Sequence, residues 1–261
     1  MFPWSTSVAI RHAPFVTWTL IALNLAIFLY EVSLPSGELQ AFIVQWGLVP
    51  ARYGHPHWAA AHGLAPGNLL PFLSNTFLHG SWLHVLLNMW TLWIFGPAIE
   101  DRFGAPRYLA FYLACGIGAS VAQALVNADS AVPTLGASGA IAGVMGAFMR
   151  LFPLSRVVVI IPIIIIPFVL EIYSFFFIGF WMALQVVQGL TDLMSPPGLG
   201  GIAWWAHIGG FALGFAATGW LRRRHYRPPQ RDEGIWGFTP DGRRRARRGP
   251  WGRRDRKGPW R

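Results

Sequence analysis

Charged residues are missing from long stretches of this chain, and that absence limits its fold more than any other feature. Residues 14–30, 82–99, 108–126, 172–190 and 202–221 contain no Asp, Glu, Lys or Arg. Each is about as long as the 20 or so apolar residues that carry an α-helix across the ~30 Å hydrocarbon core of a bilayer. A helix is also the open-chain structure that satisfies its own backbone polar groups in lipid. With 54% hydrophobic and only 12% charged residues, a soluble globular domain is excluded. The chain reads as an all-α, polytopic membrane protein.

Residues 136–152 add a shorter apolar segment, for six spans in all: 14–30, 82–99, 108–126, 136–152, 172–190 and 202–221. Residues 1–13 precede them as a leader. The leader lacks a strong basic region and a small-residue cleavage site, so the first span is expected to be retained and not removed as a signal peptide. Residues 39–46, short and Trp-containing, fit the interface better than a crossing. Residues 156–167, β-branched and interrupted by Pro162 and Pro167, start the fifth span or form an extended segment before it. Short loops decide the orientation. Arg102 and Arg107, Arg150 and Arg156, and the C-terminal run lie on one side, whereas loops 127–135 and 192–201 have no Lys or Arg. Both termini are therefore expected in the cytoplasm, and the membrane is expected to be a bacterial cell membrane.

The net charge of +10 belongs to an appendage. Fifteen of the 21 Lys and Arg lie in residues 222–261. Residues 223–261, rich in Arg, Gly, Pro and Trp, have no apolar periodicity and read as a disordered cytoplasmic tail. Its expected partner is anionic lipid head groups; nucleic-acid binding through interleaved Arg and Trp is the lesser reading. Cys115 is the single cysteine and reads as a small buried hydrophobe. His55, His57 and His62 have no Cys or carboxylate partner at ligand spacing, so no metal and no other cofactor is expected.

Polar residues inside spans are expensive and call for an account. Ser138 stands near the start of the fourth segment, where first-turn N–H groups lack intrahelical partners and, with the helix dipole, suit a developing oxyanion. The segment is short, so with Arg150 anchored at one surface Ser138 stops inside the membrane. Ser138, Ala142 and Gly146 form a small-residue stripe; His207, Gly210 and Gly214 form its counterpart on the sixth span. If those stripes meet, His207 comes close to Ser138, and a Ser–His pair is the minimum for nucleophilic catalysis. His84 and Asn88 lie one turn apart on the second span, after a plausible Ser81 N-cap. The serine motif is not the nucleophile elbow of soluble hydrolases, which needs Gly where Ala140 stands and a preceding strand.

The pattern HxxxxHxxxN at His79, His84 and Asn88, GxSGA at 136–140 and AHxGGFxxG at 206–214 together resemble the rhomboid family of intramembrane serine proteases. The resemblance covers residues 15–222. It implies a six-helix rhomboid-like protease domain over 14–222 whose substrates are transmembrane segments of other proteins. It implies Ser138 as nucleophile and His207 as base, without a carboxylate. It further implies an oxyanion hole of His84, Asn88 and the Ser138 N–H, with His79, Gly136, Gly139, Gly210 and Gly214 in support. Residues 38–53 resemble the family's first loop, and the aromatic fifth helix matches the position of its proposed substrate gate. One departure stands out: some members carry an aromatic one turn after the serine that stacks on the histidine, and here that residue is Ala142.

Three other functions are weighed against this one. A non-catalytic relative that binds membrane clients would lack the Ser–His pair. A transporter would be expected to show internal repeats. A zinc protease would need HExxH, which does not occur.

Overall fold

The computed structural model describes residues 2–163, 166–194 and 202–221. The basic tail and residues 195–201 of the loop after the fifth span lie outside the described residues. The chain runs β1 (Phe2–Thr6), α1 (Phe15–Ser33), α2 (Ser36–Trp46), α3 (Ala51–Gly54), α4 (Pro56–Ala61) and α5 (Pro71–Ser74), then a 3₁₀ turn (Asn75–Phe77). It continues through α6 (Trp82–Phe103), α7 (Ala105–Val126), α8 (Ser138–Leu151), β2 (Arg156–Ile163), β3 (Ile166–Tyr173), α9 (Ser174–Leu193) and α10 (Trp204–Leu221).

Helices α1, α6, α7 and α9 are long and apolar enough to cross a membrane. Their outward faces carry exposed Leu23, Leu29, Trp93, Leu125, Phe176 and Leu190, a surface suited to lipid. Helix α8 is the centre of the molecule. Gly139 through Phe148 are all buried, enclosed by α6, α7 and α10. It spans 14 residues, shorter than the expected 136–152, because the backbone before Ser138 is a loop.

The small-residue seam of α8 is offset from the expected Ser138, Ala142 and Gly146 stripe: Gly139 and Gly143 join Gly146 in meeting the α10 backbone. A Cβ on Gly210 would collide with the Gly139 carbonyl, and one on Gly214 with the Gly143 carbonyl. A Cβ on Gly146 would stand 2.6 Å from the Phe211 carbonyl oxygen. On its other side Gly143 faces Cys115, whose Sγ would be 2.5 Å from such a Cβ. Backbones this close gain dispersion along the whole seam, which is how helices associate where no hydrophobic effect is available.

The fold is not all-α. Strands β1, β2 and β3 form an antiparallel sheet in that order, with Arg156 opposite Tyr173 and Ile163 opposite Ile166 in the β2–β3 hairpin. The run Val157–Val158–Val159–Ile160–Ile161 is β-branched throughout and suits a pleated surface better than a helix. Pro162 and Pro167, which stand opposite each other, would break a helix. Arg156 Nη1 donates to Glu171 Oε2 at 2.7 Å across the hairpin. The leader supplies β1, which pairs Phe2 with Ile160 and Thr6 with Val157 around an irregularity between Pro3 and Ser5. It is fastened to α6 as well: Trp90 Nε1 donates to the Pro3 carbonyl at 2.7 Å, and the Trp4 and Trp90 rings lie 5.4 Å apart.

The start of α1 is closed from a distance. No side chain caps it locally. Glu100, near the end of α6, instead accepts the Val16 and Thr17 N–H groups and the Thr17 hydroxyl, each at 2.8 Å. Asp101 accepts the backbone N–H groups of Arg11 and His12. Carboxylates at a helix N-terminus satisfy orphan donors and complement the dipole.

Candidate active site

The loop that delivers Ser138 is held on two sides. Leu48 and Thr134 exchange backbone hydrogen bonds at 3.1 and 2.7 Å, and the Ala51 N–H donates to the Ser130 carbonyl at 2.9 Å. The segment after α2 thus braces the serine loop, and buried Leu48 and Val49 anchor it. From the other side, the Gly136 N–H donates to the Asn75 carbonyl at 2.9 Å. Gly136 has φ +121°, a conformation open to glycine at little cost. Glycine is also required by space, since a Cβ there would stand 2.7 Å from His84 Nε2 and 3.5 Å from Asn88 Nδ2.

Helix α8 begins at Ser138. The first intrahelical bond of the turn runs from the Ile141 N–H to the Ala137 carbonyl at 3.0 Å, so the N–H groups at the helix start have no intrahelical acceptor. Helix α10 is pinned beside it by Gln123 of α7, whose Oε1 accepts the Ala206 N–H at 3.2 Å. One residue further on, His207 Nε2 lies 2.8 Å from Ser138 Oγ. The other ring nitrogen, Nδ1, lies 2.7 Å from Gln185 Oε1 on α9. The Trp181 and Trp204 rings flank the imidazole at 5.8 and 6.2 Å.

Helix α6 brings His84 and Asn88 to the same place. Ser81 is its N-cap and accepts the His84 N–H at 3.2 Å, as the sequence suggests. Asn88 is buried, 8% exposed, and its Nδ2 has no partner within the protein. Such a donor facing Gly136, two residues from the serine, is costly unless something else accepts from it. His79 packs edge-on against His84 at 5.1 Å and against Phe28 at 6.4 Å. Its backbone N–H donates to the buried Glu31 carboxylate of α1, at 3.1 Å to the nearer oxygen. Burial, with His84 beside it, pushes the His79 imidazole down to about 4, against a weaker backbone hydrogen bond; it is neutral at pH 7.

Behind Ser138, a cavity of about 10 Å³ is bounded by Asn75, Thr76, Ser120, Thr134 and Gly136 among others. That is room for roughly one water, with hydroxyl and amide groups on part of an otherwise apolar lining. The loop histidines lie apart from all this. His55 Nε2 is 2.7 Å from Asp129 Oδ1, a carboxylate partner that spacing along the chain conceals, and His62 Nδ1 lies 2.8 Å from the Trp58 carbonyl.

The structure therefore gathers Ser138, His207, His84, Asn88, His79 and Gly136 in one place, and Gly139, Gly210 and Gly214 in the adjoining seam. Gln185, Gln123 and Glu31 join them without having been singled out in the sequence. Gln185 and Glu31 carried a signal, as polar residues within or ending otherwise apolar spans, the criterion that marks His84 and His207.

Residues 66–224 match the rhomboid domain family model. RHOMBOID-like protein 4 of Arabidopsis thaliana is 30% identical over 168 residues, 59% of this chain and 36% of that protein. The mitochondrial Rhomboid protein 1 of Saccharomyces cerevisiae is 27% identical over 155 residues, 58% and 41% of the two chains. Rhomboid protease GluP of Bacillus subtilis is 38% identical over 86 residues, 33% and 16% of the two. The chain thus spans less than half the length of these relatives. Because they include a mitochondrial and a bacterial protein, they support an integral membrane setting without favouring a bacterial membrane.

Proposed function

Because the chain belongs to the rhomboid family, we propose that it is an intramembrane serine endopeptidase that cleaves transmembrane segments of other membrane proteins through a Ser138–His207 dyad. The observation that carries this reading is the 2.8 Å approach of His207 Nε2 to Ser138 Oγ at the start of a central helix. His207 takes the hydroxyl proton as Ser138 Oγ attacks the scissile carbonyl, then delivers it to the leaving amine. The acyl-enzyme is released by a water that His207 deprotonates in turn, and the small, partly polar cavity beside Ser138 is suited to hold one. The tetrahedral oxyanion is stabilised by the Ser138 N–H, His84 and Asn88; the unpartnered Asn88 Nδ2 is the donor with most to gain.

Depth follows from length. In this reading α8 and α10 complete six spans with α1, α6, α7 and α9, and both termini are cytoplasmic. Fourteen residues of α8 rise only about 21 Å within a core of about 30 Å. With its Arg150 end at the cytoplasmic surface, Ser138 stands well inside the other leaflet. Arg150 Nη1 holds that end to α10 through the Phe215 carbonyl at 2.6 Å. The tail beyond residue 222 adsorbs to anionic lipid.

Labelling by a fluorophosphonate in detergent tests the reading. Wild type should be labelled and Ser138→Ala should not. A wild-type protein that is folded yet unlabelled would favour the non-catalytic, client-binding alternative.

A further inference from the structure

A histidine base needs more than a nearby serine. Its Nε2 must carry a lone pair, so the proton must sit on Nδ1, and the ring must be held in plane with the hydroxyl. Ala142, one turn after Ser138, is fully buried and offers no ring to the imidazole. What the imidazole does have is Gln185, whose Oε1 lies 2.7 Å from Nδ1.

The orientation of that amide is decided by its other end. Gln185 Nε2 donates to the Trp181 carbonyl at 3.2 Å. A flipped amide would set its oxygen against the Trp181 carbonyl, losing that bond and placing two acceptors together. The oxygen therefore faces Nδ1, Nδ1 carries the proton, and Nε2 is left to accept from Ser138. Gln185 is 6% exposed, so water does not compete for it. Its place on α9 matters too. The buried residues of that helix are Ser174, Ile178, Gln185 and Gly189, spaced by four, seven and four, which is one narrow stripe. Gln185 lies within the strip by which α9 is attached.

We propose that Gln185 is the positioning residue of the dyad: from α9 it fixes the tautomer and ring orientation of His207, so that the base is competent only while α9 is seated against α10. The proposal rests on the serine-protease reading for its kinetic consequence, though not for its structural one. A bland alternative is that the amide merely ties two helices together. Removing the carboxylate that orients the histidine of a soluble serine protease costs about 10⁴ in kcat. A neutral amide supplies orientation without charge, so the loss on its removal is expected at about 10- to 100-fold, within the range of one acid–base contribution.

The test compares full-length wild type, Gln185→Met and Gln185→Glu in detergent. Methionine keeps length and apolar packing but has no comparable acceptor; glutamate keeps the acceptor. Nitrogen-15 spectra of labelled histidine should show His207 protonated at Nδ1 in wild type and in Gln185→Glu, and a tautomer mixture in Gln185→Met. On a single-span substrate, Gln185→Met should lose about 10- to 100-fold in kcat with KM unchanged, and fluorophosphonate labelling should slow in parallel. Gln185→Glu should recover most of the rate. A wild-type tautomer in Gln185→Met, or a lower melting temperature with unaltered kcat, would overturn the proposal. If wild type neither cleaves nor is labelled, the protease reading fails, while the tautomer comparison still decides what Gln185 does.

Discussion

Gly210 lies directly on the backbone of Gly139, with no room for a side chain between them. The obstacle is a carbonyl group and cannot swing aside, so Gly210→Ala must push α10 away from α8. Overpacking of this kind costs about 1–3 kcal/mol, or more where backbone has to move. Gly210→Ala should melt lower in detergent, and the same displacement should stretch the Ser138–His207 approach and slow fluorophosphonate labelling. Wild-type melting and labelling together would mean that the seam is looser than described.

Ser138→Ala and His207→Ala should each abolish cleavage of a single-span substrate without unfolding the protein. Residues that act as one unit are strongly non-additive, so the double variant should be no worse than either single one. Rates in the double variant well below both singles would show that the two residues work independently. A chelator should leave wild-type cleavage unchanged; loss that zinc restores would point to a different mechanism.

Asn88→Ala should be crippled but not dead. One oxyanion donor is worth on the order of 10²–10³ in rate, and His84 and the Ser138 N–H remain, so the loss should lie near 10² and fall on kcat. The variant should still label, slowly. A raised KM at constant kcat would assign Asn88 to ground-state substrate binding.

His79 predicts how acid acts on the fold. Its folded-state value is about 4, below the ordinary 6.5, so the unfolded chain binds this proton first as pH falls. The part of stability controlled by this proton is then full above about pH 6.5, declines as pH drops toward 4, and levels off below that. His79→Phe keeps a ring against His84 and Phe28 and removes the proton. Melting curves between pH 7 and 4 should fall less steeply for this variant than for wild type; identical slopes would remove His79 from the account.

Deleting residues 2–6 should lower the melting temperature. It strips β2 of one of its two neighbours and leaves Trp90 Nε1 without the Pro3 carbonyl. Because that hydrogen bond is exposed, the lost β1–β2 pairing carries most of the effect. An unchanged melting temperature in the deletion variant would show that β1 is loosely attached.

Much of this architecture can be read along the chain, because a helix in lipid leaves a local mark: an uncharged run of the right length. The nearness of Ser138 and His207 is legible for a related reason, each being a polar residue at one end of a glycine-marked span. The sheet is not legible in the same way. β1 and β2 are separated by some 150 residues, as in the bond from the Arg156 N–H to Ser7 Oγ, and no local periodicity announces a partner so far off. The face of α8 that meets α10 is legible only in part. Ser138 and Gly146 do approach α10, but Gly139 and Gly143, as small as Ala142, carry the closest backbone contacts, and only the third dimension decides which small residue a neighbour approaches.

The carboxylates that close α1 have a bearing on how the protein is made. α1 has no capping side chain of its own, and its first N–H groups are satisfied by Glu100, 83 to 84 residues later. During synthesis the first apolar helix therefore exists before the group that finishes it. Until the end of α6 is delivered, water or head groups must serve in its place. The N-terminal end of α1 is thus the last part of that helix to set, and the pairing of α1 with α6 is closed by the later helix arriving, not by the earlier one forming.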